Sequence, residues 1–209
     1  MGAANPDTAA AIGRLEEGEL EEAVALLARA FRDNPINVAV IGPEDPGFRL
    51  RANGHGMRSL VPVARDHGEL LVARIDGRLA GALIATPPDA YPLPTPPLLS
   101  RLRCIFGQGW RVARRWHEVF EALDALHPVE PHWYLGTLGV APELESRGIG
   151  TALLGAWLED ADRDGMTAYL ETDRVENVGF YKRAGFAIRG ETEVLGARVW
   201  CMDRKPRVH

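Results

Sequence analysis

Cysteine is nearly absent from this chain of 209 residues: only Cys104 and Cys201 occur, far apart and outside any metal-ligand spacing. Two isolated thiols argue against a disulfide framework and against a zinc site, and suit a reducing compartment. Long apolar runs are missing as well. No stretch approaches the roughly 18 consecutive apolar residues of a membrane span, so no membrane partner is expected. Met1 to Ala10 carries neither the basic start nor the apolar run of a signal peptide, and Pro6 does not suit a myristoylation signal. Cytoplasmic localisation is the expectation. Nor is there a surplus of cations: 24 Lys and Arg stand against 29 Asp and Glu, a net charge of −5. Such a chain displaces few counterions from a polyanion, so general nucleic-acid binding is not expected. Internal repeats are absent too.

What is present is an ordinary globular composition, 46% hydrophobic and 25% charged. The length suits one large domain with a substantial core. We expect residues 1–9 to be a disordered N-terminus and 10–205 to be one domain, with 87–127 as a proline-rich loop and helical insertion. A short strand is read over 10–15. Leu20, Val24, Leu27 and Phe31 recur at helical spacing and predict an amphipathic helix over 19–31. Pro35, Pro43 and Pro46 make 34–48 read as loop, and a weaker helix follows over 48–64. Glu69 to Ile75, Asp76-Gly77 and Arg78 to Thr86 form the pattern of a hairpin. Six prolines between 87 and 97 exclude helix and central strand, leaving a tethered loop over one face. From 98 to 126 the chain reads as helical, with Val112, Trp116, Val119, Phe120 and Leu123 on one stripe. Strand 132–140, helix 148–164, strand 168–172, helix 177–184 and strands 186–193 and 197–203 complete the order. This succession implies an α/β fold: a mixed, mainly antiparallel central sheet flanked by helices.

The most informative stretch runs from Trp133 through Glu145-Ser146-Arg147-Gly148-Ile149-Gly150 to Leu154. An apolar strand, a polar turn and a glycine-rich helix start point free N–H groups and a positive helix end at whatever lies beside the turn. That arrangement favours a phosphate. Gly148 and Gly150 let the chain approach a ligand closely and accept unusual backbone angles. Gly139, inside a strand, suits a bulge that splays the sheet. Arg147 either adds charge-assisted contacts or faces solvent. No Lys-Ser or Lys-Thr pair follows the glycines, which disfavours a nucleoside triphosphatase.

Further along come Tyr169-Leu170-Glu171-Thr172 and Asn177-Val178-Gly179-Phe180-Tyr181-Lys182-Arg183-Ala184-Gly185-Phe186. Taken in order with the glycine turn, this set resembles the Gcn5-related N-acetyltransferase superfamily. The resemblance implies an acyl-CoA N-acyltransferase fold, acetyl-CoA as co-substrate without a metal, and transfer of an acetyl group to a primary amine. It also implies that Leu138, Gly139 and Val140 pair with the pantetheine arm, and that Ser146, Arg147, Gly148, Ile149, Gly150 and Thr151 hold the pyrophosphate beside Asn177. Two positions depart from the family's pattern. Glu145 stands where Gln or Arg is usual, and Arg174 stands where Asn is frequent.

The family places a tyrosine as general acid where this chain has Tyr181, four residues after Asn177 and so on the same helix face. A phenol with a reference pKa of about 10 stays protonated at neutral pH and can protonate a departing thiolate. The base is less defined. Glu171 is the first candidate, with His132 and Glu44 behind it, and a water chain to a carbonyl remains an alternative. No cysteine lies within 132–186, which argues against an acyl-enzyme on sulfur. The acceptor is expected to be a small molecule, an aminonucleoside or antibiotic-like amine. Its pocket would be walled by 33–48, the proline-rich segment and the following helix, with Trp110 and Trp116 as a candidate aromatic wall. Rival readings are a protein or peptide N-acetyltransferase and a non-catalytic CoA-binding sensor. Assembly is expected as monomer or homodimer.

Overall fold

The computed structural model describes residues 10–207, so the expectation for residues 1–9 lies outside it. Seven strands form one sheet: β1 (Ala11–Arg14), β2 (Glu69–Ile75), β3 (Arg78–Thr86), β4 (Trp133–Val140), β5 (Ala168–Thr172), β6 (Ala187–Val194) and β7 (Ala197–Arg204). Their spatial order is β1-β2-β3-β4-β5-β7-β6. Only the β4–β5 pair is parallel; every other pair is antiparallel. The helices are α1 (Leu20–Ala30), α2 (Pro35–Ile41), α3 (Pro46–His67), α4 (Leu98–Gln108), α5 (Trp110–Asp124), α6 (Ile149–Arg163) and α7 (Val175–Arg183). None of them is long and apolar enough to cross a membrane.

The alternation of side chains along β2 assigns the two faces. Leu71 and Ala73 pack with Leu153, Leu154 and Trp157 of α6, whereas Leu70 and Val72 pack with Val24 and Leu27 of α1 and Val61 of α3. Both faces of the sheet are therefore covered, as a period of two on a two-sided core demands. The β2–β3 turn has Asp76 at φ 51° and Gly77 at φ 74°. Two successive left-handed residues match the right-handed twist of the flanking strands, which is why Asp-Gly reads so clearly as a hairpin.

Three expectations need correction. Residues 34–48 are not simply loop, because α2 lies within them. Pro35 and Pro46 each occupy a first helical turn, where the missing N–H has no intrahelical partner to lose; here proline starts helices rather than breaking them. Asp45 caps α3 by accepting a hydrogen bond from the Phe48 backbone N–H at 3.0 Å. Residues 98–126 form two helices, not one, broken at Gly109 with φ 90°. The apolar stripe of α5 holds for Val112 and Val119, which are buried, but Phe120 is 62% exposed.

The third correction concerns Gly139. The register slip between β3 and β4 falls between Ile84 and Ala85, whose partners are Thr137 and Leu135, so the bulged residue is Gly136. Gly139 is small for another reason. A Cβ there would lie 2.8 Å from Leu27 Cδ2 and 3.1 Å from the Ala30 Cβ. The absent side chain lets α1 sit directly on β4. We expect Gly139→Val to overpack this contact and destabilise the fold by about 2 kcal/mol, read as a lowered midpoint of urea unfolding; an unchanged midpoint would show that α1 can withdraw freely.

Candidate active site

β4 and β5 pair only at Trp133–Ala168, Tyr134–Tyr169 and Leu135–Leu170. Beyond Leu135 the strands part, immediately at the Gly136 bulge. From there β4 keeps its hydrogen bonds to β3 through Val140 and leaves its other edge open. The gap is a cleft of about 620 Å³ lined by residues 135–140 of β4, Glu171 and Thr172 of β5, the turn Glu145, Ser146 and Gly148, and Asn177 and Tyr181 of α7.

The turn before α6 holds Ser146 at φ 63° and Gly148 at φ 81°. Left-handed geometry thus falls on Ser146 and Gly148; Gly150, expected to need it, is helical. The first backbone bond of α6 is Ala152 N–H to the Gly148 carbonyl, 2.9 Å. Among the described residues, the N–H groups of Gly148, Ile149, Gly150 and Thr151 donate to no protein acceptor. Four orphan donors and a positive helix end facing one cleft form an anion-binding corner. Gly150 leaves room in it, since a Cβ would sit 3.7 Å from Val140 Cγ2 and 3.8 Å from Phe180 Cζ, at the cleft wall. A diphosphate therefore fits the donor set, and an added side chain at 150 would occupy its space.

Of the residues read from sequence, the structure gathers Leu138, Gly139, Val140, Ser146, Gly148, Ile149, Gly150, Thr151, Asn177, Glu171 and Tyr181 on this cleft. It leaves others out. Arg147 is exposed and does not line the cleft, in keeping with its solvent-facing alternative. Glu44 lies exposed between α2 and α3, away from the cleft lining. Trp110 is 73% exposed and Trp116, half-buried on α5, packs against the cluster of Val40, Val112 and Val119; neither lines the cleft, so neither forms an aromatic wall here. Glu145 is exposed at the rim, where water screens it from the turn.

A family model for the acetyltransferase (GNAT) family matches residues 44–186, more than half of the chain. The chain belongs to that family. Several solved structures share the fold of this GNAT chain. A structure described as histone acetyltransferase HPA2 and related acetyltransferase, from Corynebacterium glutamicum, is 22% identical, with 96% of this chain and 98% of that one covered and a TM-score of 0.73. A Drosophila melanogaster polyamine N-acetyltransferase is 16% identical over 94% and 100% of the two chains, with a TM-score of 0.65. PaiA N-acetyltransferase from Thermoplasma acidophilum, solved with coenzyme A, is 17% identical over 94% and 99%, with a TM-score of 0.58. At these identities the likeness concerns the fold.

In this GNAT chain Tyr181 is 6% exposed and lines the cleft. Burial first, and the charge of Asp173 second, push its phenol above the ordinary value. A phenol so placed keeps its proton across the physiological range. Asp173 itself, raised by burial, accepts from the Ile36 backbone N–H at 2.8 Å and from Asn34 Nδ2 at 3.5 Å. It pins the start of α2 to the end of β5. A second hollow of about 500 Å³ adjoins the cleft there, lined by Arg29, Arg32, Asp33, Asp173, Arg174 and Trp200 among others. Arg32 and Arg49 hold the Asp33 carboxyl at about 2.

Sequence reasoning missed several residues of this region. His127 approaches Glu171 with Nδ1 3.5 Å from Oε1, and Tyr91 of the proline-rich segment stacks on His127 at 4.1 Å between ring centroids. Only the run His127-Pro128 before a strand hinted at it, and nothing local joins residues 91, 127 and 171. For the anion corner, Gly150→Val is expected to weaken coenzyme A binding at least ten-fold by calorimetry while leaving the thermal midpoint within about 2 °C; equal binding would place the diphosphate elsewhere.

Proposed function

We propose that this GNAT protein transfers the acetyl group of acetyl-CoA directly to a primary amine of a small molecule, an aminonucleoside or antibiotic-like amine. The observation that carries the reading is the open edge of β4, with the orphan N–H groups of α6 at one end and the Tyr181 phenol alongside. An extended pantetheine arm can bond to that edge as an added strand would. Bound acetyl-CoA supplies the reacting thioester. The chain's own groups do the rest. N–H groups of 148–151 hold the diphosphate, and Arg174 and Arg183 at the cleft add cationic character. Glu171 takes a proton from the acceptor ammonium. As the N–C bond forms and the C–S bond breaks, Tyr181 protonates the sulfur and regains a proton from the acylated nitrogen. A barrier difference of 1.36 kcal/mol is ten-fold in rate, so a well-placed acid is worth two or more such steps.

A small-molecule acceptor suits a cleft of about 620 Å³. The 87–127 segment, expected to wall it, turns back so that Tyr91 and His127 pack against β4 and β5, and none of its residues lines the cleft or the adjoining hollow. The hollow beside Asp173 mixes the carboxylates of Asp33, Glu145 and Glu176 with Arg29, Arg32 and Arg174, and Asp33 is already paired with Arg32 and Arg49. Likeness at particular runs points to a small acceptor. Phe31-Arg32-Asp33-Asn34-Pro35, His127-Pro128 to Trp133, Thr137-Leu138-Gly139-Val140, Leu170-Glu171-Thr172 and Val199 to Pro206 resemble puromycin N-acetyltransferase. A protein or peptide acceptor is the second reading, and a CoA sensor without turnover the third.

The test is thiol release from acetyl-CoA with a panel of an aminonucleoside, a polyamine, an aminoglycoside and an alanine-ended peptide. We expect turnover with one of the small amines and none with the peptide. Tyr181→Phe should keep coenzyme A binding and lose at least ten-fold in kcat. Unchanged turnover in that variant would remove Tyr181 as the acid.

A further inference from the structure

Behind Glu171 lies a row of polar groups that the transfer reaction as described does not use. Glu171 Oε1 is 3.5 Å from His127 Nδ1. His127 Nε2 is 2.9 Å from His132 Nε2, and His132 Nδ1 is 2.7 Å from the backbone carbonyl of Glu130. One end of the row lines the cleft; the other reaches an exposed loop, where Glu130 and Pro131 face water. The middle is dry. The side chains of His127 and Glu171 are 6% and 7% exposed, and His132 is buried. Tyr91 covers one face of His127, with Tyr134 and Tyr169 edge-on at 4.9 Å.

Hydrogen-bonding rules assign the protons. A carbonyl only accepts, so His132 Nδ1 carries a hydrogen. In neutral His132 the Nε2 is then a bare acceptor, and the hydrogen between the two rings belongs to His127 Nε2. Neutral His127 therefore turns a lone pair on Nδ1 towards the Glu171 carboxylate. Two acceptors face one another, and among the described residues Oε1 has no hydrogen-bond partner. The contact lacks one proton.

We propose that Glu171, His127 and His132 form a proton relay that draws the acceptor ammonium's proton out of the cleft and delivers it to water at the Glu130 loop. The inference rests on the acetyl-transfer reading. Glu171 touches the substrate; His127 and His132 act through it as positioning residues. Atoms balance simply. The ammonium N–H breaks, the proton fills the Glu171–His127 contact, and each ring passes on the hydrogen it already holds. His132 turns its Nδ1–H from the Glu130 carbonyl to a water at the exposed loop and gives that hydrogen up to it, and rotation of both rings resets the row. The amine is left with the lone pair that attack requires.

The groups facing the row favour this use. Burial holds His132 below the ordinary histidine value, with the carbonyl of Glu130 and the charge of Glu171 acting upward and His127 and Arg189 acting downward. Tyr91 is pushed up to about 12 by burial, then by Asp124 and Glu171. Tyr134 and Tyr169 are both raised by burial and by Glu171, and Cys201, beside Tyr169, is raised by burial as well. These three phenols and the thiol thus stay protonated and neutral near pH 7 and take no proton from the row.

Nitrogen-15 histidine NMR on the intact chain tests the row without turnover. We expect His132 as the Nδ1–H form, His127 as the Nε2–H form, and one shared titration midpoint. In Glu171→Gln the His127 midpoint should fall by a unit or more. Opposite tautomers, or rings that titrate independently and ignore Glu171→Gln, would overturn the relay. Kinetics then test its use, with whichever panel amine is accepted. His127→Gln and the milder far-end variant His132→Gln should lower kcat about ten-fold at pH 7, leave KM for acetyl-CoA unchanged, and shift the acid limb of kcat/KM. Activity should recover at alkaline pH, where amine arrives already deprotonated. A uniform loss at every pH, or an unmoved acid limb, would overturn the relay. A wild-type chain that acetylates no amine would instead overturn the acetyl-transfer reading, whatever the NMR of the row.

Discussion

The parting of two parallel strands governs this molecule. A sheet buried on both faces normally pairs every backbone group of its central strands, because an unpaired amide away from water costs about 1–3 kcal/mol. Here β4 and β5 share only three residue pairs and then diverge at the Gly136 bulge. The unpaired edge is tolerable because it faces a cleft of about 620 Å³ rather than packed core. In the proposed reading, the extended, amide-bearing arm of acetyl-CoA restores what the sheet gives up. The main chain, more than any side chain, shapes this cleft.

The surroundings of that gap are arranged by small residues. Gly139 lets α1 press against β4, and Gly150 keeps the helix start from filling the corner next to Val140 and Phe180. Gly148 supplies the left-handed step that aims the following N–H groups into the cleft. The proposed acid and the proposed base line the same cleft. Tyr181 stands with Phe180 and Phe186 on the α6 side, while Glu171 turns to the side covered by the proline-rich segment. Two groups of opposite duty thus approach the gap from opposite faces of one sheet.

Much of the architecture was legible because it is local. Asp76-Gly77 needs two left-handed residues, Gly165 and Gly185 sit past helix ends at φ 66° and 98°, and the apolar periods of α1 and α6 repeat at 3.6. The glycine turn before α6 was legible for the same reason: strand, turn and helix start are consecutive. Where one residue type serves two purposes, local reading failed. Pro35 and Pro46 open helices, although a cluster of prolines reads as loop. Gly139 answers to α1, more than a hundred residues away in sequence, and its own strand gives no sign of that. The grouping of Tyr91, His127, His132 and Glu171 was invisible, because the residues come from an irregular segment, a helix-to-strand loop and a separate strand.

The amino-acid sequence by itself determined most of the strands and helices and the glycine turn that opens α6, since each follows from contacts within a turn or two of chain; the mixed sheet was inferred from their order. Tertiary structure alone decided where the sheet opens, which of the candidate acids and bases meet, and what closes over them. Those outcomes depend on side chains brought together across 40 to 140 positions of sequence, and no local spacing encodes a contact of that reach.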